Sequence, residues 1–416
     1  MKILIVTQYY YPEQFQINEI APELVRRGHE VTVLTGLPNY PAGDIYPGYE
    51  DAYKKPEIID GVRVIRCKAR PRRRGVINLV RNYLSYAYKA TRLAKRMKEK
   101  FDLVLSYELS PITSVLPAKV YARKNKTPHI MYCLDLWPES AQAQIGNKKS
   151  LTYRMVAWLS RSIYRSCDRI AVTSRPFIDY IRDVNRVDES KLVYIPQHAD
   201  TKLLGVDMHA EDNGIADFMY AGNMGKGQTL DVLVRAVAEL GGRNDFVVHM
   251  VGDGSKRAEI EALAESLGVK DKFIFYGNQK REDMPAFYKK ADALILTLRG
   301  NNAVGNTMPG KLQVYMTAGK PIFAAINGAA NEVIREADCG SCVAAGDHMG
   351  LAKIMADYID NPAKYSFAGE NAKKYFANNF TLEHYMDRLE SEMNETVKIY
   401  QSSKQRKANN KGRAEE

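Results

Sequence analysis

Long apolar runs are missing from this sequence. No segment approaches the roughly 18–20 consecutive apolar residues that a membrane-spanning helix needs. The opening residues do not resemble a signal peptide, because their apolar run is short and breaks into Tyr, Pro and Glu without a small-residue cleavage site. We therefore expect a protein of the cytoplasm.

Signals for metal sites and disulfides are also scarce. The cysteines number five, an odd count, and their scatter suits a reducing compartment. The C-x-x-C pair Cys339 and Cys342 lacks the second pair or the nearby histidines that a zinc site would need. The seven histidines form no cluster with acids at metal-ligand spacing. We expect no metal and no cofactor.

Negative charge is scarce in one segment. Between Gly61 and Lys100 there are 14 Lys or Arg residues and one acid, Glu99, in a chain of net charge +11. Such a surplus indicates an anionic partner, either nucleic acid or the inner face of the cytoplasmic membrane. The segment shows no recognised nucleic-acid module, so we expect no nucleic acid and a peripheral contact with the membrane. The candidate contact residues are Arg72, Arg73 and Arg74.

A helix with an apolar stripe follows these arginines. The stripe consists of Val76, Leu79, Val80, Tyr83, Leu84, Ala87, Ala94 and Met97, and the basic residues fall elsewhere around the helix. The stripe can pack on a sheet with a solvated basic face, or the helix can meet lipid. Both interpretations hold if the stripe faces the sheet and the basic residues face the membrane.

Short strand-like runs alternate with helical patterns along most of the chain, which is typical of parallel α/β sheets. The predicted strands are 2–7, 30–34, 62–67, 103–106, 129–133, 169–173, 192–195, 218–221, 246–251, 273–276, 293–296 and 321–324. The pattern restarts after a polar stretch at 200–217, which predicts two α/β domains. We place them at 1–200 and 201–380, followed by a helix at 381–400 and a disordered tail at 401–416.

Three loops in the second half resemble a phosphate site. The strand ending at Ala221 runs into a glycine-rich loop that contains Gly222, Asn223, Gly225 and Lys226. The next strand ends in Gly252 and Asp253, where Asp253 either binds a ligand or caps the next helix. Glycines let a backbone approach phosphate closely, and ligands of open α/β sheets bind at the carboxyl ends of strands.

The third loop opens a short helix. Thr307 is its predicted N-cap, Pro309 and Gly310 suit its first turn, and Gly319 suits its end. Lys311 in the first turn opposes the helix dipole, which an anion bound at that end would explain. We expect Lys226 and Lys311 to clamp one diphosphate.

The first half offers a second set of candidate residues at strand ends. Asp135, Trp137 and Glu139 follow the strand that ends at Cys133, and Asn39 and Tyr40 follow the strand that ends at Leu34. Acids and an aromatic side chain at such an edge are typical of a substrate site. His198, near the predicted domain boundary, is a further candidate for contact with substrate.

These motifs resemble glycosyltransferase family 4, whose members have the GT-B fold. The resemblance rests on MKILIVTQYYYPE, ELVRRGHEVTVLTGLPNYP, DLWPES, YAGNMGKG, VGDG, PGKLQVYMTAGKP and NEVIREADCG. It implies two Rossmann-like, doubly wound domains facing each other across a cleft, with the acceptor held by the first and the nucleotide-sugar by the second. It also implies transfer with retention and without a metal. Lys226, Lys311 and Asp135 are then the catalytic candidates.

The resemblance carries over to partners, although the chain departs from the family at three positions. One is Asn223, which stands where the family usually has an arginine before the phosphate lysine. The implied donor is a nucleoside-diphosphate sugar, UDP-linked in our expectation, and the implied acceptor is a saccharide or a polyprenyl-diphosphate-linked sugar of bacterial surface polysaccharide. Two family glutamates correspond here to Asn306 and Val314, so ribose recognition must differ from that of the family or come from Gln313 or Glu332. We see no confident carboxylate nucleophile, so front-face departure assisted by the donor phosphate is favoured.

Other functions remain open at this point. A nucleotide-sugar 2-epimerase could use the same fold, although histidines and paired acids are sparse. A non-catalytic scaffold that binds nucleotide-sugar or membrane would explain the missing glutamates.

Overall fold

The computed structural model describes residues 1–141, 146, 148–210, 213–300 and 307–412. The chain divides into two compact units. The first contains Met1–Ile195 together with the residues from Met386 onward, and the second contains Pro196–Tyr385. The division falls five residues before the position that the sequence suggested.

The described part of the first unit is built on an eight-stranded sheet. Its strands are β1 (Lys2–Val6), β2 (Glu30–Gly36), β3 (Glu57–Ile59), β4 (Val62–Cys67), β5 (Leu103–Glu108), β6 (His129–Cys133), β7 (Arg169–Val172) and β8 (Leu192–Tyr194). Their order is β3-β4-β2-β1-β5-β6-β7-β8, and every pair is parallel except β3 with β4. The central strands are buried on both faces and mostly apolar, as is typical of strands covered by helices on both sides.

The helices of this unit are α1 (Ile17–Arg26), α2 (Val76–Arg96), α3 (Leu116–Asn125), α4 (Leu151–Tyr164) and α5 (Pro176–Asp183). A 3-10 turn, Ile112–Val115, precedes α3. The apolar stripe of α2 is only partly packed on the sheet. Ala87, Ala94 and Met97 are buried, whereas Val76 and Leu84 are 61% and 58% exposed.

The described part of the second unit holds a six-stranded parallel sheet. Its strands are β9 (Ala216–Ala221), β10 (Phe246–Val251), β11 (Phe273–Gly277), β12 (Ala293–Thr297), β13 (Ile322–Ala325) and β14 (Gly340–Val343), in the order β11-β10-β9-β12-β13-β14. The helices are α6 (Asp231–Glu239), α7 (Arg257–Ser266), α8 (Met284–Lys290), α9 (Gly310–Ala318), α10 (Ala329–Glu336), α11 (His348–Asp360) and α12 (Ala368–Asn379). Apolar clusters cover both faces of this sheet.

The twelve predicted strands are all present, with ends within two residues of those expected. The prediction missed β3 and β14, which are short strands at the edges of their sheets.

The last helix is longer than the sequence indicated. α13 runs from Leu382 to Gly412, so the segment expected to be a disordered tail from residue 401 is helical as far as Gly412. Within the first unit, Arg27 pairs with Asp387 and Glu390 at 2.6 Å, and Arg169 pairs with Glu392 at 2.7 Å. These ion pairs attach α13 to the first unit.

Candidate active site

A cavity of about 690 Å³ opens at the carboxyl ends of β9 and β10 in the second unit. Gly222, Asn223, Gly252 and Asp253, four of the predicted nucleotide-sugar residues, line it. The other lining residues are Ala221, Val251, Gly254, Asn278, Gln279, Met284 and Tyr288. The volume lies within the range of small-molecule sites, and the position is where open α/β sheets bind ligands. The sequence reasoning missed the four lining residues that follow β11, from Asn278 to Tyr288.

Glycine is required where the two loops meet. The amide of Gly222 donates a hydrogen bond of 2.8 Å to the Val251 carbonyl oxygen. Gly252 has φ +125°, and a Cβ atom built on it would lie 2.1 Å from the carbonyl oxygen of Gly222. No other residue fits this approach, so the backbone at the cavity wall carries no side chain there.

Lys311, in the first turn of α9, is buried beside this wall. Its Nζ lies 3.7 Å from the centroid of the Tyr220 ring, and a Cβ on Gly222 would lie 2.9 Å from it. Among the described residues Nζ has no hydrogen-bond partner. Burial lowers the pKa of Lys311 to about 7. A buried ammonium without a partner is costly, and an anion bound at Gly222 would supply the missing partner.

Tyr315, one helical turn after Lys311, holds α9 against the end of β9. Its hydroxyl accepts a 2.8 Å hydrogen bond from the Ala221 amide and donates one of 3.2 Å to the Ala221 carbonyl oxygen. The sequence reasoning did not single out Tyr315. Its anchoring role depends on a contact between residues far apart in the chain.

The start of α9 differs from the prediction. The helix begins at Gly310 and the residue before it is Pro309, which has extended backbone angles, so Thr307 is not the N-cap. Gly319 ends the helix in the left-handed conformation, with φ +66°, as predicted. The N-cap prediction failed because the chain enters the helix through Pro309 without a side-chain cap.

Other predicted donor residues are placed outside the cavity wall. Lys226 is exposed in the 3-10 turn Lys226–Gln228, which Gly225 precedes. Glu332 is exposed on α10. The side-chain Nε2 of Gln313 donates a hydrogen bond of 2.6 Å to the Gln197 carbonyl oxygen. This bond is structural and gives no support to the predicted role of Gln313 in ribose binding.

Asp253 is not the cap of α7. The helix begins at Arg257, with Lys256 before it, and the Asp253 carboxylate accepts from the Gly254 amide at 2.7 Å. Its other oxygen lies 3.5 Å from Arg257. Of the positions that replace the family glutamates, Val314 is half-buried on α9, and Asn306 lies outside the described residues.

Asp135 stands in a polar cluster at the carboxyl ends of β5 and β6 in the first unit. Ser110 Oγ donates to Asp135 Oδ2 at 2.6 Å, and Trp137 Nε1 donates to Ser110 Oγ at 3.2 Å. Beneath them, the buried Glu108 accepts from the Asp135 amide at 3.3 Å. Burial, together with the charge of Asp135, raises the pKa of Glu108 well above its usual range. Glu108 is thus the buried acid of the cluster, and Asp135 is its half-exposed acid.

Glu139, a predicted acceptor residue, is held by two tyrosines. Its Oε1 accepts hydrogen bonds from the hydroxyls of Tyr153, at 2.9 Å, and Tyr180, at 3.0 Å. Two donors on one oxygen fix the carboxylate between α4 and α5.

Asn39 and Tyr40 are ordered by a buried acid that the prediction overlooked. Glu13 Oε1 accepts from the amides of Asn39, at 2.8 Å, and Tyr40, at 2.7 Å. Burial raises the pKa of Glu13 to about 7. Asn39 is itself buried and accepts from the Arg72 amide at 2.8 Å, so it shapes the loop. The half-buried ring of Tyr40 lies next to Tyr9 at 5.6 Å.

The remaining predicted residues are spread over both units. His198 is buried in the second unit, with its ring 5.3 Å from that of Tyr385. The Arg72 guanidinium lies 5.0 Å from the centroid of the Tyr40 ring, while Arg73 and Arg74 are exposed and Arg73 pairs with Asp44 at 3.0 Å.

The described residues contain no group of three or more His, Cys, Asp and Glu side chains placed to hold a metal ion. None of the described helices is both long enough and apolar enough to cross a membrane.

Comparison with known proteins was made for the whole chain. The family model described as glycosyl transferases group 1 matches residues 208–375, and the glycosyl transferase 4-like domain matches residues 14–198. The chain is 29% identical over 153 residues to 2-deoxystreptamine glucosyltransferase of Streptomyces kanamyceticus, a match that spans 36% of this chain and only 38% of that relative. It is 24% identical over 344 residues to the putative colanic acid biosynthesis glycosyl transferase WcaI of Escherichia coli K12, spanning 77% of this chain and 82% of that one.

Among solved structures, Anabaena HepE in complex with UDP matches with a TM-score of 0.67 at 14% identity, covering 95% of this chain and 100% of that chain. At this identity the likeness shows the fold alone.

Proposed function

Since the chain belongs to the GT-B glycosyltransferases related to family 4, we propose that it transfers a sugar with retention from a nucleoside-diphosphate sugar, UDP-linked, to a saccharide or polyprenyl-diphosphate-linked acceptor. The proposal includes independence from a divalent metal. The second unit would hold the donor and the first unit the acceptor. The name of the WcaI relative supports a place in surface polysaccharide assembly.

The observation that carries the donor site is the buried Lys311 Nζ beside Gly222. The wall next to it is bare backbone, the cavity is large enough for a nucleotide, and the helix that holds Lys311 starts at this point. A diphosphate there would meet one full positive charge and the positive end of a helix dipole. The UDP in the HepE complex supports uridine as the base.

The chemistry follows from where charge develops. As the bond between the sugar and the diphosphate breaks, negative charge grows on the leaving diphosphate oxygen. Protonated Lys311 and the α9 amides would stabilise that charge, which is the task a metal ion performs in other transferases. A phosphate oxygen of the departing donor would take the proton of the acceptor hydroxyl as the new bond forms on the same face.

The acceptor role rests on Asp135. Its carboxylate is the half-exposed member of a cluster whose other acid, Glu108, is buried and has a pKa raised well above its usual range. Ser110 fixes one Asp135 oxygen, so the carboxylate has a defined direction in which to accept from an acceptor hydroxyl. The indole of Trp137, held by the same Ser110, supplies an apolar surface. We assign to this cluster the orientation of the acceptor.

A non-catalytic nucleotide-binding scaffold is the second candidate, because Val314 stands where the family has a glutamate. Val314 lines an adjacent cavity of about 380 Å³ that shares Met284 and Tyr288 with the larger one, and its apolar side chain offers no carboxylate to a ribose. The scaffold would bind nucleotide-sugar and leave it intact.

The deciding experiment is a thermal-shift or calorimetric panel of UDP, GDP, ADP and their common sugar conjugates. A ligand that binds only the folded protein raises its apparent stability. We expect UDP and one UDP-sugar to respond, and release of UDP when an acceptor extract is added. Binding without any turnover would favour the scaffold, and no response to any nucleotide would overturn the donor assignment.

A further inference from the structure

Helix α4 of the first unit exposes an apolar stripe. Leu151, Met155 and Trp158 follow one another at spacings of four and three residues, so they lie on one face of the helix. Their exposed fractions are 71%, 63% and 71%. Exposed apolar residues are normal when scattered singly, but a contiguous row of large ones marks an interaction surface.

The opposite face of α4 already serves the core, because Tyr153, Ile163 and Tyr164 are buried there. The charged residues on and just after the helix are all basic, namely Arg154, Arg161 and Arg165, and all are exposed. From Leu151 to Tyr164 the sequence contains no acid. The exposed stripe is therefore flanked by positive charge alone.

A basic groove lies beside Trp158. It has a volume of about 800 Å³ and its lining includes Lys119, Arg123, Arg161 and Arg165. One acid, Asp168, also lines the groove, and its carboxylate accepts a 2.9 Å hydrogen bond from the His129 amide. A groove of this composition has the size and charge for phosphate headgroups.

Helix α2 presents a matching stripe. Ile77, Val80, Leu84 and Tyr88 are 68%, 46%, 58% and 62% exposed. The crossovers β4–α2–β5 and β6–α4–β7 run in the same direction along the sheet, and right-handed crossovers then place both helices on the same face. Both helices also contact the turn Ile112–Val115. The two stripes thus belong to one face of the first unit, which we call the α2–α4 face.

We infer that the α2–α4 face docks on an anionic phospholipid bilayer, with its apolar stripes inserted among the lipid chains and the groove beside Trp158 holding headgroup phosphates. Helices with a stripe of Trp and aliphatic residues flanked by Lys and Arg lie in the membrane interface in this way. The inference deepens the proposed function, because a polyprenyl-linked acceptor would reach the enzyme in that same membrane.

A second copy of the chain fits this face less well. A symmetric dimer brings the same patch of both copies together, and here it would oppose arginines with arginines. Cores of protein interfaces are also depleted in charged residues, whereas these stripes are bordered by them. An anionic bilayer satisfies both the apolar and the basic part of the surface.

The chain offers an internal probe because it has two tryptophans. Trp158 is 71% exposed and Trp137 is 8% exposed. We expect vesicles of phosphatidylcholine with 30% phosphatidylglycerol, about the anionic fraction of a cell membrane, to shift the tryptophan emission to shorter wavelength. Brominated lipid should quench it. Trp158→Phe should abolish both effects, and an unchanged spectrum of the full-length protein would overturn the inference.

Vesicle sedimentation tests the two parts of the surface separately. Leu151→Ser with Met155→Ser should lower binding by at least about tenfold, because two large apolar side chains no longer leave water. Arg161→Gln and Arg165→Gln should each lower binding by about fivefold, and only on anionic vesicles. Phe367→Ser is the matched control, since Phe367 is 73% exposed in the second unit and lies outside this face. Equal losses in the control and test variants would refute the inference.

Two readouts separate this inference from the proposed function. The nucleotide panel should give the same stabilisation in the Leu151/Met155 variant as in the wild type, so loss of lipid binding and loss of donor binding are distinguishable. In sedimentation velocity without lipid, we expect no dimer that dissociates when Trp158 is replaced by alanine. Such a dimer would assign the face to a second copy of the chain instead.

Discussion

Replacement of Lys311 by methionine separates the effect of this residue on the stability of the fold from its effect on nucleotide binding and turnover. Methionine has a similar length and no charge, so it fills the space beside Tyr220 without a buried ammonium. In the folded protein the pKa of Lys311 is about 7, against 10.5 for an unperturbed lysine. This difference means that burial of the Lys311 ammonium lowers the free energy of unfolding of the ligand-free wild type by about 4 kcal/mol at pH 7.

The sign of the pH dependence follows from the lowered pKa. Between pH 7 and 10.5 the unfolded chain keeps the Lys311 proton while the folded chain releases it, so this group makes the wild type more stable as pH rises. We expect Lys311→Met to be more stable than the wild type at pH 7, by up to a few kcal/mol, and the advantage to shrink toward pH 10.5. Urea unfolding at several pH values, without nucleotide, measures the difference.

The functional effect should run the other way. Lys311→Met, like Lys311→Ala, should lower kcat on the order of 10² because the charge on the leaving diphosphate is no longer neutralised. Nucleotide should also stabilise the variant less than the wild type. Lys226→Met is the control for removal of a lysine, since Lys226 is exposed. A stability difference that does not vary with pH, or turnover at the wild-type level, would refute the reasoning.

Three further perturbations address the rest of the site. Gly222 has φ +137°, and Gly222→Ala would place a methyl group 2.8 Å from Lys311 Cε. The apparent affinity for nucleotide, measured from thermal stabilisation, should therefore fall at least about tenfold. Wild-type affinity in this variant would show that the diphosphate lies elsewhere. Asp135→Asn should lower turnover at least about tenfold with little change in stability. Glu139→Gln should instead lower the free energy of unfolding by about 1 kcal/mol, because it weakens the two hydrogen bonds from tyrosine hydroxyls. Similar losses of turnover in both variants would argue against a special role for Asp135. Transfer should continue in EDTA, and activity lost in EDTA and restored by Mg²⁺ or Mn²⁺ would disprove metal independence.

The positions of the strands could be read from the sequence because their signal is local. Strands such as β1 and β10 are short apolar runs bounded by turns, and burial on both faces demands that composition whatever surrounds them. The edge strands β3 and β14 were not predicted, because they are three and four residues long and only partly buried. The glycine-rich turns after β9 and β10 were found for a similar local reason.

The state of the charged groups depended on the tertiary structure. The sequence offered Lys226 and Lys311 as equals, yet one is exposed and the other is buried against Tyr220, 91 positions away in the chain. It gave no sign that Glu108 is buried with a raised pKa, or that two tyrosine hydroxyls donate hydrogen bonds to Glu139. It also left open whether the stripe of α2 packs on the sheet, and three of its eight residues, Val76, Val80 and Leu84, are exposed.

The sequence by itself thus determined the two α/β units and the loops that end their strands, since periodicity and turn residues act over a few neighbours. Only the tertiary structure decided which polar side chains lose water and which apolar ones keep it. That outcome is set by contacts between strands and helices that the chain brings together from distant positions, and desolvation is what moves the pKa of Lys311, Glu13 and Glu108.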